Sequence, residues 1–165
     1  MKWIVGGLVA IAVVAVVVYV FGATRPRSHV ATATRAISAP PERVWATIVA
    51  FDQQATWRSA ATAVRRVGDR IEETNRWGDV LALRVVEETA PARLVTEVVD
   101  QTAFGGTWTI ELAPDGAGTR VTITERGEVH SVLFRAVGAV LFDPTRTAET
   151  WLADLDRAMS STGIP

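Results

Sequence analysis

The first part of the chain is apolar on every side. No residue from Trp3 to Thr24 is charged, and the run WIVGGLVAIAVVAVVVYVFGA contains no polar stripe that could face water. An α-helix rises about 1.5 Å per residue, so about 20 residues span the roughly 30 Å hydrocarbon layer of a bilayer. The pattern therefore predicts a transmembrane helix over residues 1–24, with Trp3 and Tyr19 near its two ends, where amphipathic rings collect.

Two other interpretations of this segment are a cleaved signal peptide and a buried helix. A signal peptide has the same lysine-then-apolar start, but its apolar region is usually only about 7 to 15 residues long. Cleavage after Ala23 would also put Phe21 where a small residue is needed. A buried helix seldom needs so long an uncharged run. We therefore favour a single-pass membrane anchor, whose orientation stays open because Lys2 lies on one side and Arg25 and Arg27 on the other.

After a short linker at residues 25–28, the sequence changes to short segments that are rich in β-branched residues or alternate between apolar and polar residues, as strands do. His29–Ile37 predicts a first strand. The run ISAPPERVWATI predicts a helix from about Pro40 to Ala50, since proline fits the first turn, and a further helical turn around Phe51–Arg58. Turn signals such as Gly105-Gly106 separate six more strands, whose short connections imply antiparallel pairing: Ala61–Val67, Arg70–Trp77, Val80–Glu88, Arg93–Asp100, Thr107–Leu112 and Thr119–Gly127.

One face of this sheet is predicted to be buried. Trp108, Ile110 and Leu112 share one face of their strand, as do Val121 and Ile123 in the next, while Thr and Arg occupy the opposite face. A sheet with one apolar face needs another element to cover it.

The end of the chain supplies that cover. Residues 132–142 read as a separate helical stretch, and Asp143-Pro144 is typical of the start of a second helix. In this last helix, apolar residues recur at helical spacing: Ala148, Trp151, Leu152, Leu155 and Met159. The pattern predicts an α+β fold in which a curved antiparallel sheet wraps around a long C-terminal helix.

Composition then removes several classes of function. The formal net charge is −1, and residues 29–165 carry −4, which argues against the positive surface that a nucleic-acid partner needs. There is no cysteine, so disulfides, zinc thiolates and cysteine nucleophiles are excluded. The two histidines, His29 and His130, have no ligand-spaced partner, so we expect no metal site and no cofactor. None of these patterns bears on the oligomeric state.

Five segments in order carry a family resemblance. ISAPPERVWATI, the following Trp57, FGGTWTIEL, GTRVTITERGEV and the terminal LFR with TAETWLADLDRA resemble the START-like superfamily, specifically its SRPBCC branch of polyketide cyclase/dehydrase and lipid-transport proteins. The resemblance covers residues 29–160 and leaves a tail at 161–165. It implies a helix-grip fold, in which a seven-stranded antiparallel sheet grips the C-terminal helix around a deep apolar cavity. It does not select a function, because this scaffold hosts carriers, receptors and enzymes.

Three polar residues are candidates for chemistry. Glu125 continues the inward face of Val121 and Ile123, where it would bind a ligand or act as a general base. The alternatives are an ion pair with Arg135 or another arginine, or a solvated position at the rim. Arg84 lies in a strand that is apolar on both faces, so a solvated role competes with a cavity role. His130 follows the last strand and is either near the cavity mouth or simply at the surface or a helix cap.

The expected cavity wall combines these groups with aromatic and aliphatic residues, although large aromatics are more often plain core. Its predicted members are Trp57, Trp77, Arg84, Trp108, Ile110, Val121, Ile123, Glu125, Trp151, Leu152 and Leu155.

Two classes of function fit this sequence best. The preferred hypothesis is a membrane-anchored domain that binds or transfers a hydrophobic small molecule, such as a lipid, an isoprenoid or a polyketide-like compound. The alternative is a cyclase or dehydratase that uses Glu125, Arg84 or His130 for proton transfer. A structural membrane protein without a ligand is a third interpretation. An apolar cavity would favour the carrier, two or more converging polar groups the enzyme, and a filled cavity the structural protein.

Overall fold

A curved antiparallel sheet and a long terminal helix form the domain. A computed structural model describes residues 2–161, so the predicted tail lies outside the described residues except for Ser161. The helices are α1 (Lys2–Ala23), α2 (Pro41–Val49), a 3-10 helix (Phe51–Thr56), α3 (Val132–Leu141) and α4 (Pro144–Ser161). The strands are β1 (Ser28–Ile37), β2 (Ala61–Val67), β3 (Arg70–Asn75), β4 (Val80–Thr89), β5 (Arg93–Val99), β6 (Phe104–Asp115) and β7 (Gly118–Val129).

The seven strands form one sheet in the order β1-β7-β6-β5-β4-β3-β2, with every neighbouring pair antiparallel. This confirms the predicted α+β fold with a seven-stranded sheet. Strands β2 to β7 follow one another as a meander, as the short connections predicted. Strand β1 instead returns to pair with β7 along its whole length, from Ser28 opposite Glu128 to Ile37 opposite Thr119.

The hairpin of β6 and β7 is longer than the sequence predicted. The ladder continues to the pair Phe104 and Val129, so Gly105-Gly106 lies inside β6 rather than in a turn. Gly106 has a φ of 136°, and a Cβ there would lie 2.2 Å from the carbonyl oxygen of Arg126. Gly106 therefore allows the backbones of β6 and β7 to approach closely, as glycine often does within a strand.

Helix α4 covers the concave face of the sheet. Asp143 Oδ1 accepts hydrogen bonds from the amides of Thr145 and Arg146, which confirms the predicted helix start. The five apolar residues of the predicted stripe are all buried against the sheet: Ala148, Trp151, Leu152, Leu155 and Met159. Val121 and Ile123 of β7 are fully buried in the same cluster. The predicted grip of sheet on helix is confirmed.

One buried acid ties α4 to the chain that follows the 3-10 helix. Asp154 is 2% exposed and accepts hydrogen bonds from the amide and the hydroxyl of Ser59, both at 2.7 Å. Arg157 donates to the other carboxylate oxygen at 2.9 Å. A buried carboxylate needs such donors, so this contact fixes the position of α4 relative to the loop.

Helix α1 packs against α3 through its last turn. A Cβ on Gly22 would lie 2.2 Å from the carbonyl oxygen of Val132, so only glycine permits this approach. The buried side chain of Arg135 donates to the carbonyl oxygens of Gly22, Val129 and His130 and so links α1, β7 and α3. Within α1, the segment Gly6–Ala23 is long and apolar enough to cross a membrane. Signal sequences have the same length and apolar character.

Candidate functional site: a cavity between the sheet and the terminal helices

A cavity of about 490 Å³ lies between the concave face of the sheet and the terminal helices. Drug-sized ligands occupy pockets of about 300 to 1,000 Å³, so this volume suits a small organic molecule. Apolar side chains from β3, β4, β5, β6, the 3-10 helix and α4 form most of the wall: Phe51, Ile71, Leu81, Leu83, Leu94, Val98, Phe104, Trp108, Ile110 and Trp151. The alternation of each strand turns these residues inward.

Helix α3 contributes a separate part of the wall. Phe134 and Gly138 line the cavity from one face of the helix, four residues apart, and Phe142 lines it from the extended residue directly after the helix. Ser131 starts this helix by accepting a hydrogen bond from the amide of Phe134. The amide hydrogens of His130 and Ser131 both donate to the carbonyl oxygen of Ala103, just before β6. These bonds hold the beginning of α3 beside the cavity.

A histidine and a carboxylate meet at one side of the wall. His29 Nε2 lies 3.0 Å from Glu125 Oε1, and the two side chains are 31% and 19% exposed. His29 lies opposite Gly127 in the β1–β7 ladder, and Glu125 is two residues along on the same face of β7. A Cβ on Gly127 would lie 2.2 Å from His29 Cε1, so the glycine makes room for the imidazole ring. All three residues line the cavity.

An ion pair lines the cavity at its other side. Arg58 donates to both oxygens of Glu73, at 2.6 and 2.8 Å, and also to Gln54 at 2.7 Å. Gln54 is 3% exposed and donates in turn to the carbonyl oxygen of Ile48. Glu73 is on β3 whereas Glu125 is on β7, and three strands separate them in the sheet. The two polar groups therefore face the cavity from different sides and do not converge.

The comparison with known families identifies the domain. Residues 28–160 match the family of polyketide cyclase / dehydrase and lipid transport proteins. The chain belongs to this family. The resemblance seen in the sequence motifs is thereby confirmed. No curated protein matches the chain.

Solved structures support the helix-grip, START-like fold of this family member. A protein from Thermus thermophilus has a TM-score of 0.67 at 21% identity, covering 82% of this chain and 100% of that chain. A Mesorhizobium loti protein has a TM-score of 0.64 at 20% identity, with coverage of 82% and 100%. A protein described as a START superfamily member from Mycobacterium smegmatis has a TM-score of 0.64 at 14% identity, with coverage of 81% and 99%. At these identities the similarity concerns the fold alone.

Four of the residues predicted for the cavity line its wall in the structure: Trp108, Ile110, Glu125 and Trp151. The expected inward direction of Glu125 matches its position, but its partner is His29 rather than Arg135. Val121, Ile123, Leu152 and Leu155 are at most 1% exposed and belong to the packed core, away from the cavity lining. Periodicity placed them on the correct face, but it does not separate a residue beside a hollow from one in solid packing.

Three aromatic or basic predictions fall outside the cavity lining. Trp57 packs edge-on against Trp151, with ring centroids 5.3 Å apart, and contacts the core. Trp77 is 73% exposed in the turn after β3, where the guanidinium of Arg76 lies 4.6 Å from its ring centroid. His130 is exposed between β7 and α3. Because tryptophan packs in cores and on surfaces as well as in pockets, its presence in the sequence does not identify a cavity wall.

Arg84 lies on the convex face of the sheet. Its neighbours Leu81 and Leu83 line the cavity, so the alternation of β4 turns Arg84 outward. It donates to Glu97 at 2.7 Å across the β4–β5 ladder. The hydrogen bond and charge of Glu97 raise the pKa of Arg84 above its usual value. The solvated alternative for this residue is therefore the observed one.

Several wall residues were missed by the sequence analysis: His29, Gln54, Arg58, Glu73 and Phe134. His29 starts the predicted first strand, but only its pairing with β7 brings it to Glu125. Arg58 and Glu73 are 15 residues apart, and the β2–β3 hairpin brings Glu73 back beside Arg58. No group of His, Asp and Glu able to hold a metal ion occurs within residues 2–161.

Proposed function

We propose that the chain is a membrane-tethered domain that binds or transfers a hydrophobic small molecule, such as a lipid, an isoprenoid or a polyketide-like compound. The observation that carries this proposal is the cavity of about 490 Å³ with its mainly apolar wall. The family description includes both lipid transport and polyketide cyclases, which agrees with a hydrophobic ligand. Helix α1 would hold the cavity at the surface where such ligands dissolve.

The apolar surface of such a ligand sets an upper limit on its affinity. Burying about 300 Å² of apolar ligand surface at about 25 cal/mol per Å² contributes roughly 7 kcal/mol before the costs of association. That value supports affinity in the micromolar range at best. The His29–Glu125 and Arg58–Glu73 pairs of the wall would orient a ligand that carries a hydrogen-bonding group at one end, since a few placed polar groups give such pockets their specificity.

The test is to extract the full chain in mild detergent and to analyse it by native mass spectrometry for a copurifying lipid. Leu83→Trp would fill the cavity from β4, whereas Val86→Trp introduces the same side chain at an exposed position of that strand. We expect a bound compound in the wild type and in Val86→Trp, and its loss in Leu83→Trp. Recovery of no compound, together with no thermal shift across a lipid panel, would reject the proposal.

One observation favours an enzyme as a second candidate. The His29–Glu125 pair is a histidine hydrogen-bonded to a carboxylate at the wall of an apolar cavity, which is an arrangement used for proton transfer. Against it stands the lack of convergence between this pair and the Arg58–Glu73 pair. If the domain is a dehydratase, the wild type would release water from a bound hydroxylated compound, and His29→Gln would bind that compound without the mass loss. Unchanged ligand mass with both proteins would leave only the carrier.

A further inference from the structure

Helix α3 divides into three faces with different surroundings. The cavity face consists of Phe134 and Gly138, and Phe142 continues it directly after the helix. A second face consists of Arg135 and Ala136, which are buried near Gly22 of α1. The third face points away from both. Its members, here called the outer stripe, are Leu133, Val137, Val140 and Leu141.

The outer stripe is wholly apolar and largely exposed. Leu133, Val140 and Leu141 are 58%, 72% and 77% exposed, and Val137 is 44% exposed. Arg135 is the only polar side chain between residues 132 and 142, and it is turned inward to the carbonyl oxygen of Gly22. A helix that covers a cavity on one face and shows only apolar side chains on another is unusual for a surface that faces water.

The position of α3 beside α1 indicates what covers the stripe. Gly22 and Arg135 fix α3 to the last turn of α1, which is the part of the apolar helix that meets the linker. Two cations, Arg25 and Arg27, follow within five residues of Gly22, and no acidic residue precedes Glu42. Basic residues at the end of an apolar helix suit anionic headgroups. The beginning of α3 thus lies beside the end of α1, where the chain would leave the bilayer.

We propose that the outer stripe of α3 is embedded in the bilayer interface, so that α3 is a membrane-facing cover through which a lipid-soluble ligand passes sideways between the bilayer and the cavity. This inference rests on the proposed function, because it assumes that α1 spans a membrane. Its partner is a lipid surface rather than a second copy of the chain. The same helix forms cavity wall and membrane contact, so a ligand on this route need not cross water.

Depth measurements with a fluorescent label test this proposal. The chain has no cysteine, so single substitutions give one labelled site each. Val140→Cys reports on the outer stripe, and its high exposure makes the substitution mild. Val16→Cys reports on α1. Ala117→Cys is the control, since it is an exposed residue of the β6–β7 turn, about 35 Å from α3 along a 12-residue strand.

Each full-length variant would be placed in phosphatidylcholine and phosphatidylglycerol vesicles and quenched by nitroxide-labelled lipid or by aqueous iodide. We expect lipid quenching at Val140 and Val16, and iodide quenching about fivefold weaker at Val140 than at Ala117, as for a helix in the interface. Lipid quenching at Val16 with strong iodide quenching at Val140 would overturn the inference and leave the anchor intact. Absence of lipid quenching at Val16 would overturn both. Protection of Val140 from both quenchers would mean that a second copy covers the stripe and would also overturn the inference.

Discussion

Single residues decide how the polar side of the cavity is built. The His29 ring lies against the backbone at Gly127 and reaches Glu125, so three residues on two strands make one contact. The imidazole and the carboxylate are both partly buried, and each gives the other a hydrogen-bond partner. The contact depends on the missing side chain of Gly127 as much as on the two groups that form it.

Replacing Gly127 with alanine therefore tests this contact. The added Cβ would lie 2.2 Å from His29 Cε1, so the ring has to move and the His29–Glu125 hydrogen bond is lost. We expect a loss of about 1–3 kcal/mol in the free energy of unfolding, as for other overpacked sites. Denaturant unfolding followed by tryptophan fluorescence measures it, and changed ring nitrogen shifts of His29 in NMR spectra identify the cause. Gly138→Ala is the control, because its Cβ meets nothing within 4 Å; equal losses in both variants would contradict this explanation.

Two adjacent acids on β3 provide a second residue-scale prediction. Glu73 pairs with Arg58 where the side chains are 21% and 11% exposed, whereas Glu72 pairs with Arg65 at 41% and 70%. Glu73→Ala leaves a partly buried guanidinium without its carboxylate, so we expect a loss of about 2–3 kcal/mol in unfolding free energy. Glu72→Ala should lose less than about 1 kcal/mol, as exposed pairs do. Similar losses measured by denaturant unfolding would show that the cavity pair is solvated.

Among the elements, α3 has the most varied surroundings. It lines the cavity, contacts α1 and exposes the outer stripe. Its attachment to α1 relies on the close approach at Gly22 and on the hydrogen bond from Arg135 Nε to the Gly22 carbonyl, at 3.0 Å. The residues that follow, including Arg25, whose amide donates to the same carbonyl, are ordered by this contact.

Gly22→Ile is expected to separate α1 from α3. The new side chain would occupy the space of the Val132 carbonyl, so the linker at residues 25–28 would lose its support. We expect trypsin to cleave after Arg27 several times faster in the variant, since cleavage requires local opening of the backbone. Gel analysis of detergent-solubilised protein over time measures the rate. Gly7→Ile, at a position with nothing within 4 Å, serves as control, and equal rates in the two variants would contradict the predicted role of Gly22.

At the scale of the whole molecule, the curved sheet, α3 and α4 enclose a space that no single element defines. Part of the concave face is solidly packed around Leu152, Leu155, Val121 and Ile123, and part of it is open. The side chains that line an empty apolar cavity lack the van der Waals contacts that they would make in a filled core. The packed part of the sheet therefore provides most of the stability of the domain. A ligand that fills the hollow should therefore add to stability.

The thermal stability of the domain should therefore depend on its ligand. A lipid-soluble compound at about 100 times its dissociation constant should raise the free energy of unfolding by about 2.7 kcal/mol through mass action. Thermal unfolding of the detergent-solubilised chain, with and without each member of a lipid panel, measures the increase. Leu83→Trp should lack it, and Val86→Trp should keep it. A shift of equal size in both variants would place the binding site elsewhere.

The sequence by itself determined the membrane-length apolar helix, the order of strands and helices, and the inward face of β6, β7 and α4. These features follow from local periodicity and turn chemistry, which act over a few residues. The pattern alone predicted seven strands, and the family resemblance implied the same number. The boundaries of β6 were missed because Gly105-Gly106 is a turn signal in isolation, whereas in the fold Gly106 allows the backbone of β6 to approach that of β7.

Only the tertiary structure decided which inward residues meet a hollow and which meet solid packing. Ile110 and Ile123 lie opposite one another on β6 and β7 with the same periodicity, yet only Ile110 lines the cavity. The pairing of β1 with β7 brought His29 to Glu125 across 96 residues, and the direction of Arg84 was set by its neighbours in the sheet. The physical reason is that a pattern along one chain records which side of an element is apolar, whereas distance between elements depends on how the whole chain packs.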